Sequence, residues 1–231
     1  IDGAWSQEDW HPYQSADAKG RFQRQPSTFR NWVTPNGAPG PTGDGGFKAE
    51  AGRYHLYVAL ICPWASRTLL ARALKGLTDV ISISIVEPAP SSQGWAFGSY
   101  PGSTPDTENG VTHLHEVYTK ADPLFTGRVT VPVLWDKQRQ TIVNNESSDI
   151  LRMLNTAFQD IVPSDLDLYP EDRRAEIDAL NDAIYDSFNN GVYRAGFAQG
   201  QEAYEEAVTQ VFATLDMLES RLESQPFLVG D

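Results

Sequence analysis

The stretch Tyr57–Arg67 (YVALICPWASR) constrains the possible folds of this chain more than any other. A short run rich in β-forming residues, 54–61, leads to Cys62 and Pro63, and a helical pattern follows. Proline is tolerated at the first position of a helix, because its missing N–H would have no partner there. The order strand, Cys-Pro, helix predicts a thiol at a helix N-terminus, where the helix dipole and exposed N–H groups favour the thiolate. We therefore interpret Cys62 as the nucleophile of an enzyme.

The pattern around this stretch predicts an α/β domain. We expect a strand at 53–61, a helix at 63–76 and a second strand at 80–86, where Ile alternates with Ser as in a strand with one buried face. A β segment at 128–136 contains Pro132, which must lie at a strand start or edge because it donates no ladder hydrogen bond. The predicted apolar face of the helix consists of Leu69, Leu70, Ala73, Leu74 and Leu77.

The second half of the chain is predicted to be mostly helical. A strand at 141–143 precedes a helix that begins within 145–151, where Ser and Asp are candidate caps. After 169–170, apolar residues recur at helical spacing and predict antiparallel bundle helices. The predicted faces are Ile177, Leu180, Ile184 and Phe188 in one helix, and Tyr204, Val208, Val211, Leu215, Leu218 and Leu222 in another.

Three parts are expected along the chain. Residues 1–50 are irregular, but their aromatic side chains are costly to leave in water and favour an extension that packs on the body. An α/β domain at 51–160 contains a long insertion at 87–127, and a helical domain occupies 168–231. The aromatic residues of the extension are Trp5, Trp10, Phe22, Phe29 and Trp32.

Net charge and cysteine content narrow the function classes. The formal net charge of −13 argues against nucleic-acid and anionic-membrane partners, so an anionic small ligand needs a local positive site. The single cysteine excludes an internal disulfide, which favours a reducing, cytoplasmic location. No apolar run approaches the roughly 18 residues of a membrane-spanning helix, so no membrane partner is expected.

Three separated motifs carry a resemblance to a known family. At Cys62–Ala65, Val131–Pro132 and Glu146–Ser147 the chain resembles the glutathione transferase superfamily. That resemblance implies a thioredoxin-like N-terminal domain, then an all-α helical-bundle domain, and a homodimer. The finer likeness is to the Xi class, the glutathionyl-hydroquinone reductases, and covers nearly the whole chain. It rests on Cys62–Ala65, Arg24–Arg30, Gly94–Trp95, Tyr118–Pro123 and Gly127–Asp136.

The resemblance implies a reaction with glutathione as co-substrate. Glutathionyl-hydroquinones, which are aromatic thioethers, would be reduced through a mixed disulfide between Cys62 and glutathione. Position 65 is Ala where a dithiol redox motif has Cys, so a second glutathione must clear that disulfide. Tyr193 matches the family tyrosine that transfers a proton to or from the quinol, and a phenol can direct protonation of a developing phenolate.

The resemblance also implies a set of glutathione contacts. The backbone before Pro132 would pair with the cysteinyl part of glutathione like an added strand. A hydroxyl and N–H groups at a helix start would receive the γ-glutamyl carboxylate, and a neighbouring carboxylate its ammonium. A guanidinium would meet the glycyl carboxylate, and an indole would pack on the tripeptide. These candidates are Val129, Thr130 and Val131 for the backbone, Ser147 and Glu146 for the γ-glutamyl group, Arg128 and Trp95.

Each of these residues also has a simpler interpretation. A lone Cys is usually a small buried hydrophobe. Glu146–Ser147 before an apolar run is also a helix N-cap motif, and Arg128 could form a surface ion pair. Tyr193 and Trp95 could serve packing alone. The alternatives for the whole chain are an omega-like thioltransferase or dehydroascorbate reductase, and a non-enzymatic glutathione-binding or ligand-binding protein.

No metal site and no complete C-terminus are predicted. The four histidines are His11, His55, His113 and His115. His113 and His115 lie in the insertion without Cys or carboxylate ligands at zinc-like spacing, so we expect no metal. The end of the chain, 227–231, resembles the turn before another buried helix of the superfamily. We therefore expect that residues follow Asp231 in the intact protein. The chain opens at Ile1 without Met, so its true start was removed or is not represented.

Overall fold

The computed structural model describes residues 1–6 and 16–230. Contacts divide the described chain into two compact units. The first comprises residues 1–6 and 26–168, and the second comprises residues 16–25 and 169–230. The N-terminal fifth of the chain therefore contributes to both units. Separately, no helix in the described part is long and apolar enough to cross a membrane.

The first unit is built on a mixed four-stranded sheet with strand order β2-β1-β3-β4. β1 is parallel to β2 and antiparallel to β3, which is antiparallel to β4. A parallel pair needs a crossover connection, and α1 supplies it between β1 and β2. The strands are β1 (Tyr54–Val58), β2 (Ser82–Ile85), β3 (Val133–Asp136) and β4 (Thr141–Asn144), and the helices are α1 (Pro63–Leu74), α2 (Leu114–Ala121) and α3 (Ser147–Thr156).

The four predicted strands exist; three are shorter than expected, and the one predicted at 141–143 extends to Asn144. β1 ends at Val58, because the chain turns before Cys62, whose N–H donates to Ala59 O at 3.1 Å. Only 133–136 of the predicted segment 128–136 is a strand. Pro132 directly precedes β3, as its missing N–H requires, and the Val131–Pro132 peptide bond is cis.

The predicted buried face of α1 is partly wrong, although Leu77 is buried and Leu69 is half-buried against the core. Leu70 and Leu74 are 62% and 56% exposed, whereas Ala65, Thr68 and Ala71 are buried. Small side chains let α1 approach its neighbour α3 closely, so burial follows fit and not side-chain size.

The alternation of Ile and Ser in β2 does not give a polar exposed face. Ser84 is buried, and its Oγ lies 2.9 Å from His55 Nε2. His55 Nδ1 lies 2.7 Å from Ser82 Oγ. The serines therefore satisfy a buried imidazole on β1, which a pattern along one strand cannot reveal.

The insertion contains a helix, α2, that the sequence did not lead us to predict. Its buried residues are Leu114, Val117 and Tyr118, at the i, i+3, i+4 spacing of an amphipathic helix. A capping box fixes its start, since Glu116 Oε1 accepts the His113 N–H at 2.8 Å. Gly and Pro around this short helix dominate the composition of 87–127 and hide the signal.

The second unit consists of helices. The face predicted for its first helix is confirmed, since Ile184 is buried and Ile177, Leu180 and Phe188 are half-buried. The face predicted for its longest helix is partly wrong. Tyr204 is 45% exposed, and the buried line is Ala203, Ala207, Val211, Thr214 and Leu218. The elements are α4 (Arg174–Ile184), a π-helical turn (Tyr185–Asn189), α5 (Gly191–Gly196) and α6 (Gln201–Leu222).

The aromatic residues of the N-terminal 50 residues contact both units. In the first unit, Phe29 stacks on Phe125 with a centroid separation of 5.8 Å, and Trp32 packs against the core. In the second unit, Phe22 is buried, and its ring centroid lies 5.3 Å from that of Phe197. Trp10 lies outside the described residues.

Candidate active site

Cys62 is the N-cap residue of α1. Its backbone is extended (φ −89°, ψ 115°), and Pro63 occupies the first helical position. Ser66 donates to Cys62 O from both its N–H (3.0 Å) and its hydroxyl (3.2 Å), which fixes the first turn. The half-buried Sγ lies 3.7 Å from Val131 O. The structure therefore joins the predicted nucleophile to the carbonyl that precedes the cis-proline.

Tyr118 holds the backbone beside that carbonyl. Its hydroxyl donates to Thr130 O at 2.9 Å and accepts the Thr130 N–H at 3.3 Å, and Asn145 Nδ2 donates to it at 3.2 Å. Burial raises the pKa of Tyr118 despite these hydrogen bonds, so the phenol remains a neutral donor. We did not single out this residue from the sequence, although it opens one of the family motifs, Tyr118–Pro123.

Glu146 and Ser147 lie together at the start of α3. Glu146 is the N-cap residue, in place of the predicted Ser or Asp, and its carboxylate accepts the Ser148 N–H at 3.3 Å. Ser27 Oγ donates to the other carboxylate oxygen at 2.9 Å. The simpler interpretation as a cap is therefore present in the structure. It is compatible with ligand binding because Ser147, though buried, stands at a helix N-terminus that favours anions.

Arg67 adds a positive charge at this helix start. Its Nη1 donates to Ser147 Oγ at 3.5 Å, and its guanidinium carbon lies 4.6 Å from the centroid of a Trp64 ring. Trp64 and Arg67 are three positions apart on α1 and therefore share a face. Sequence reasoning missed Arg67, although its spacing from the Cys-Pro-Trp motif was the available signal.

The N-terminal segment anchors the first turn of α3 a second time. Arg30 donates to both oxygens of Asp149, at 2.5 and 3.1 Å, and Asn144 Nδ2 donates to the same carboxylate at 3.1 Å. The hydrogen bond to Asp149 raises the pKa of Arg30. Residues far apart in sequence thus fix the helix start that carries Ser147.

The remaining candidates of the first unit lie on its loops. Trp95 is half-buried, packs against the core, and accepts the Leu114 N–H on its carbonyl at 2.9 Å. Arg128 and Val129 are half-buried in the segment that leads to the cis-proline. The structure thus brings Cys62 into contact with Val131 and places these three residues in the same unit.

Tyr193 lies in the second unit, on α5. The guanidinium carbon of Arg24 is 4.5 Å from its ring centroid, and Arg24 Nε donates to Asn190 Oδ1 at 2.6 Å. The Phe197 ring packs beside it, with centroids 6.2 Å apart. A residue of the N-terminal segment therefore holds the proposed proton donor, a contact that no local pattern could show.

The histidines fall into two environments, and His11 lies outside the described residues. His55 is buried in the first unit, where burial lowers its pKa to about 4. His113 and His115 are half-buried at the start of α2. The sequence argument discounted this pair for lack of a carboxylate ligand, but the structure places Glu116 beside both imidazoles.

A thiol at a helix N-cap beside the carbonyl that precedes a cis-proline is the arrangement of a thioredoxin-like domain, and comparisons with known proteins identify its family. A family profile for the glutathione S-transferase N-terminal domain matches residues 61–157. Glutathionyl-hydroquinone reductase YqjG of Escherichia coli (strain K12) is 53% identical over 232 residues, which cover 100% of this chain and 70% of that protein.

Two solved structures are similar over most of the chain. The glutathione S-transferase Xi of Phanerochaete chrysosporium has a TM-score of 0.88 and 50% identity, covering 93% of this chain and 68% of that one. The glutathione-bound structure of Escherichia coli K-12 YqjG has a TM-score of 0.86 and 55% identity, covering 88% and 67%. The chain therefore belongs to the Xi-class glutathione transferases, the family of the glutathionyl-hydroquinone reductases.

Proposed function

We propose that this protein reduces S-glutathionyl-hydroquinones to hydroquinones with glutathione. The observation that carries the proposal is the position of Cys62 Sγ, at the N-cap of α1 and 3.7 Å from Val131 O. A glutathione that pairs with the Val131 backbone would present its sulfur to this thiol. The proposal is supported by the 53% identity to a glutathionyl-hydroquinone reductase.

The reaction proceeds in two steps, a reductive cleavage of the thioether and then a thiol–disulfide exchange. The Cys62 thiolate attacks the sulfur of the glutathionyl group, the bond between that sulfur and the aromatic carbon breaks, and an S–S bond forms. The aromatic carbon that loses its sulfur takes up a proton, which Tyr193 delivers, and hydroquinone leaves. A second glutathione thiolate then attacks the mixed disulfide, releases oxidised glutathione and restores Cys62. Protons and thiols balance both steps, so the scheme uses no metal.

In this proposal, protein contacts hold glutathione along its backbone and at both ends. Its cysteinyl backbone pairs with Val131, next to Val129 and Thr130. Its γ-glutamyl carboxylate lies on the start of α3 at Ser147, where the Arg67 guanidinium supplies the positive charge that a chain of net charge −13 needs locally.

The remaining contacts fix the two ends of the tripeptide. Glu146 meets the γ-glutamyl ammonium, and its carboxylate is already held by Ser27. Arg128 binds the glycyl carboxylate, and Trp95 packs on the tripeptide.

The wider biological setting is also a proposal. We propose a cytoplasmic homodimer in which residues 51–160 bind glutathione and residues 168–231 contribute Tyr193, with residues 1–50 as an extension packed on both. The contacts of Arg24, Ser27 and Arg30 support that role of the extension. Light scattering of the purified protein tests the dimer.

The test of function is a comparison of wild type with Cys62→Ser on a glutathionyl-hydroquinone. Wild type should release hydroquinone and oxidised glutathione in equal amounts, and Cys62→Ser should fall to background because serine forms no thiolate near neutral pH. Intact-protein mass should show one glutathionyl group on wild type alone. Hydroquinone release that survives in Cys62→Ser contradicts the proposal, and faster turnover of dehydroascorbate than of the thioether favours the omega-like alternative.

A further inference from the structure

Three metal-ligating side chains converge at the start of α2, apart from the proposed glutathione contacts. His113, His115 and Glu116 each offer one ligand atom, and these atoms lie within 4.8 Å of one another. His113 Nδ1 is 3.8 Å from Glu116 Oε1, and the two imidazole rings are stacked with centroids 5.6 Å apart. Two tetrahedral ligand atoms, each about 2.0 Å from Zn²⁺, are about 3.3 Å apart. Coordination would therefore shorten the separations by up to about 1.5 Å. It would also release His113 Nδ1 from Thr112 Oγ1, which lies 3.0 Å away.

Neighbouring side chains hold His115 in place. Gln93 Oε1 lies 3.2 Å from His115 Nε2, and the Trp5 ring packs at a centroid distance of 4.9 Å. A hydrogen bond from Nε2–H to Gln93 leaves the other ring nitrogen with the lone pair that a metal needs. Gly94 lets the Trp5 indole pack against its backbone, because a Cβ added there would lie 2.9 Å from the ring. Its φ of +76° is also a conformation that favours glycine.

Glu116 can cap the helix and bind a cation at once. Its Oε1 accepts the N–H groups of His113 at 2.8 Å and Thr112 at 3.1 Å. In the described part of the chain every hydrogen bond to this carboxylate falls on Oε1, so Oε2 is available to a cation.

We propose that His113, His115 and Glu116 form a binding site for a divalent transition-metal ion of the Zn²⁺ type, with water completing the coordination. Two imidazoles and a carboxylate suit Zn²⁺, Ni²⁺ or Cu²⁺, whereas Mg²⁺ and Ca²⁺ prefer oxygen ligands throughout. The proposal does not rest on the reaction of Cys62.

A bound ion would fasten two segments together. Ala96 forms a β-bridge with His113, and Phe97 N–H donates to Thr112 O at 2.9 Å. Trp95 precedes this bridge and accepts the Leu114 N–H. An ion held by the first turn of α2 therefore stiffens the segment that carries Trp95, and Ni²⁺ or Cu²⁺ bound there should quench the fluorescence of the nearby Trp5.

The test is calorimetric titration of ZnCl₂ into tag-free Cys62→Ser protein without glutathione. This background is chosen because Cys62 is the only cysteine, so no thiol competes for the metal. We expect saturable binding of one ion per chain. The double variant His113→Gln/His115→Gln should bind at least about tenfold more weakly, because an imidazole removed from a site costs no less than a lost outer-shell partner.

Two further variants separate coordination from folding. Glu116→Gln keeps the capping box, in which Gln also serves, but loses the anionic ligand, so it should weaken binding while far-UV circular dichroism stays unchanged. Glu205→Gln makes the same change at an exposed site on α6 and should bind like the background protein. Absence of saturable Zn²⁺ binding, or a loss of less than tenfold in the double histidine variant, overturns the proposal.

Discussion

The two units of this protein are stabilised by different means. The fully buried side chains of the first unit include large aromatic ones, among them Trp135, Tyr54, Tyr57 and Tyr118. In the described part of α6, by contrast, the buried residues are mostly small, and Phe212 is 61% exposed. The first unit therefore has a core with large aromatic side chains, whereas the longest helix of the second packs mainly through small ones. A site built on the first unit is held by that aromatic core.

The ion pairs show the same difference. In the first unit Arg53 and Asp136 meet at 2.5 Å with side chains 6% and 0% exposed. In the second unit Arg21 and Glu206 meet at 2.6 Å, but both side chains are 36% exposed. A buried pair is costly to break, because the remaining charge stays buried, whereas an exposed pair is solvated and screened.

The largest effect on stability is expected from Asp136→Asn. The substitution leaves the Arg53 guanidinium buried without its counter-charge and should lower the free energy of unfolding of the first unit by about 3–5 kcal/mol. Urea unfolding followed by circular dichroism measures the loss. A change below about 1 kcal/mol would show that the buried pair behaves like a surface pair, and the contrast between the units would fail.

Acid should weaken the first unit through His55. Burial lowers its pKa from 6.5 to about 4, outweighing the carboxylates of Glu108 and Asp106, which raise it. The neutral imidazole stabilises the fold fully above pH 6.5, and this stability is lost as pH falls toward 4, because the unfolded chain takes up the proton first. The loss is about 3 kcal/mol over that window. Urea titrations at pH 7 and pH 5 should differ in wild type and much less in His55→Asn.

An intermediate effect, on turnover, is expected at Arg24. Arg24→Met removes the guanidinium over the Tyr193 ring and its hydrogen bond to Asn190. A contact of this kind contributes about 1–2 kcal/mol, so kcat should fall roughly tenfold with KM for glutathione unchanged. Arg24→Lys, which keeps the charge, should recover part of the rate. An unchanged kcat in Arg24→Met would mean that the first unit alone sets the chemistry.

The smallest effect is expected from Glu206→Gln. The pair with Arg21 is half-exposed, so its loss should barely change the unfolding midpoint at physiological salt. Thermal scans at low and high ionic strength measure this, and any difference from wild type should vanish at high salt. A large loss of stability that does not depend on salt would show that this pair behaves like the buried pair Arg53–Asp136.

The local order of the chain near Cys62 was predictable because it depends on neighbours in sequence. Pro63 after a β-forming run indicates a helix start, and Pro132 marks a strand start, and the structure has both. Hydrophobicity predicted the buried faces of α1 and α6 only in part, as with Val211 and Leu218 of α6. In both helices small residues such as Ala71 and Ala207 form the contact surface, and larger apolar residues remain exposed.

The candidate site was predictable to the extent that its residues belong to contiguous motifs. Cys62 and Val131 do, and the structure brings them into contact. Arg67, Ser27 and Tyr118 act through contacts with residues 12 to 119 positions away, which no window of sequence contains. Their roles follow only from the folded chain.

The division of the N-terminal 50 residues between the units has a consequence for biosynthesis. Residues 16–25 belong with residues 169–230, and residues 26–168 of the first unit lie between them in sequence. During translation this short segment leaves the ribosome early but cannot make its contacts until α6 has been synthesised. The Phe22 side chain, which is buried in the folded protein, remains uncovered during that interval. Contacts of such long sequence separation also form slowly. The first unit can therefore be complete before the helices that contact residues 16–25 have been synthesised.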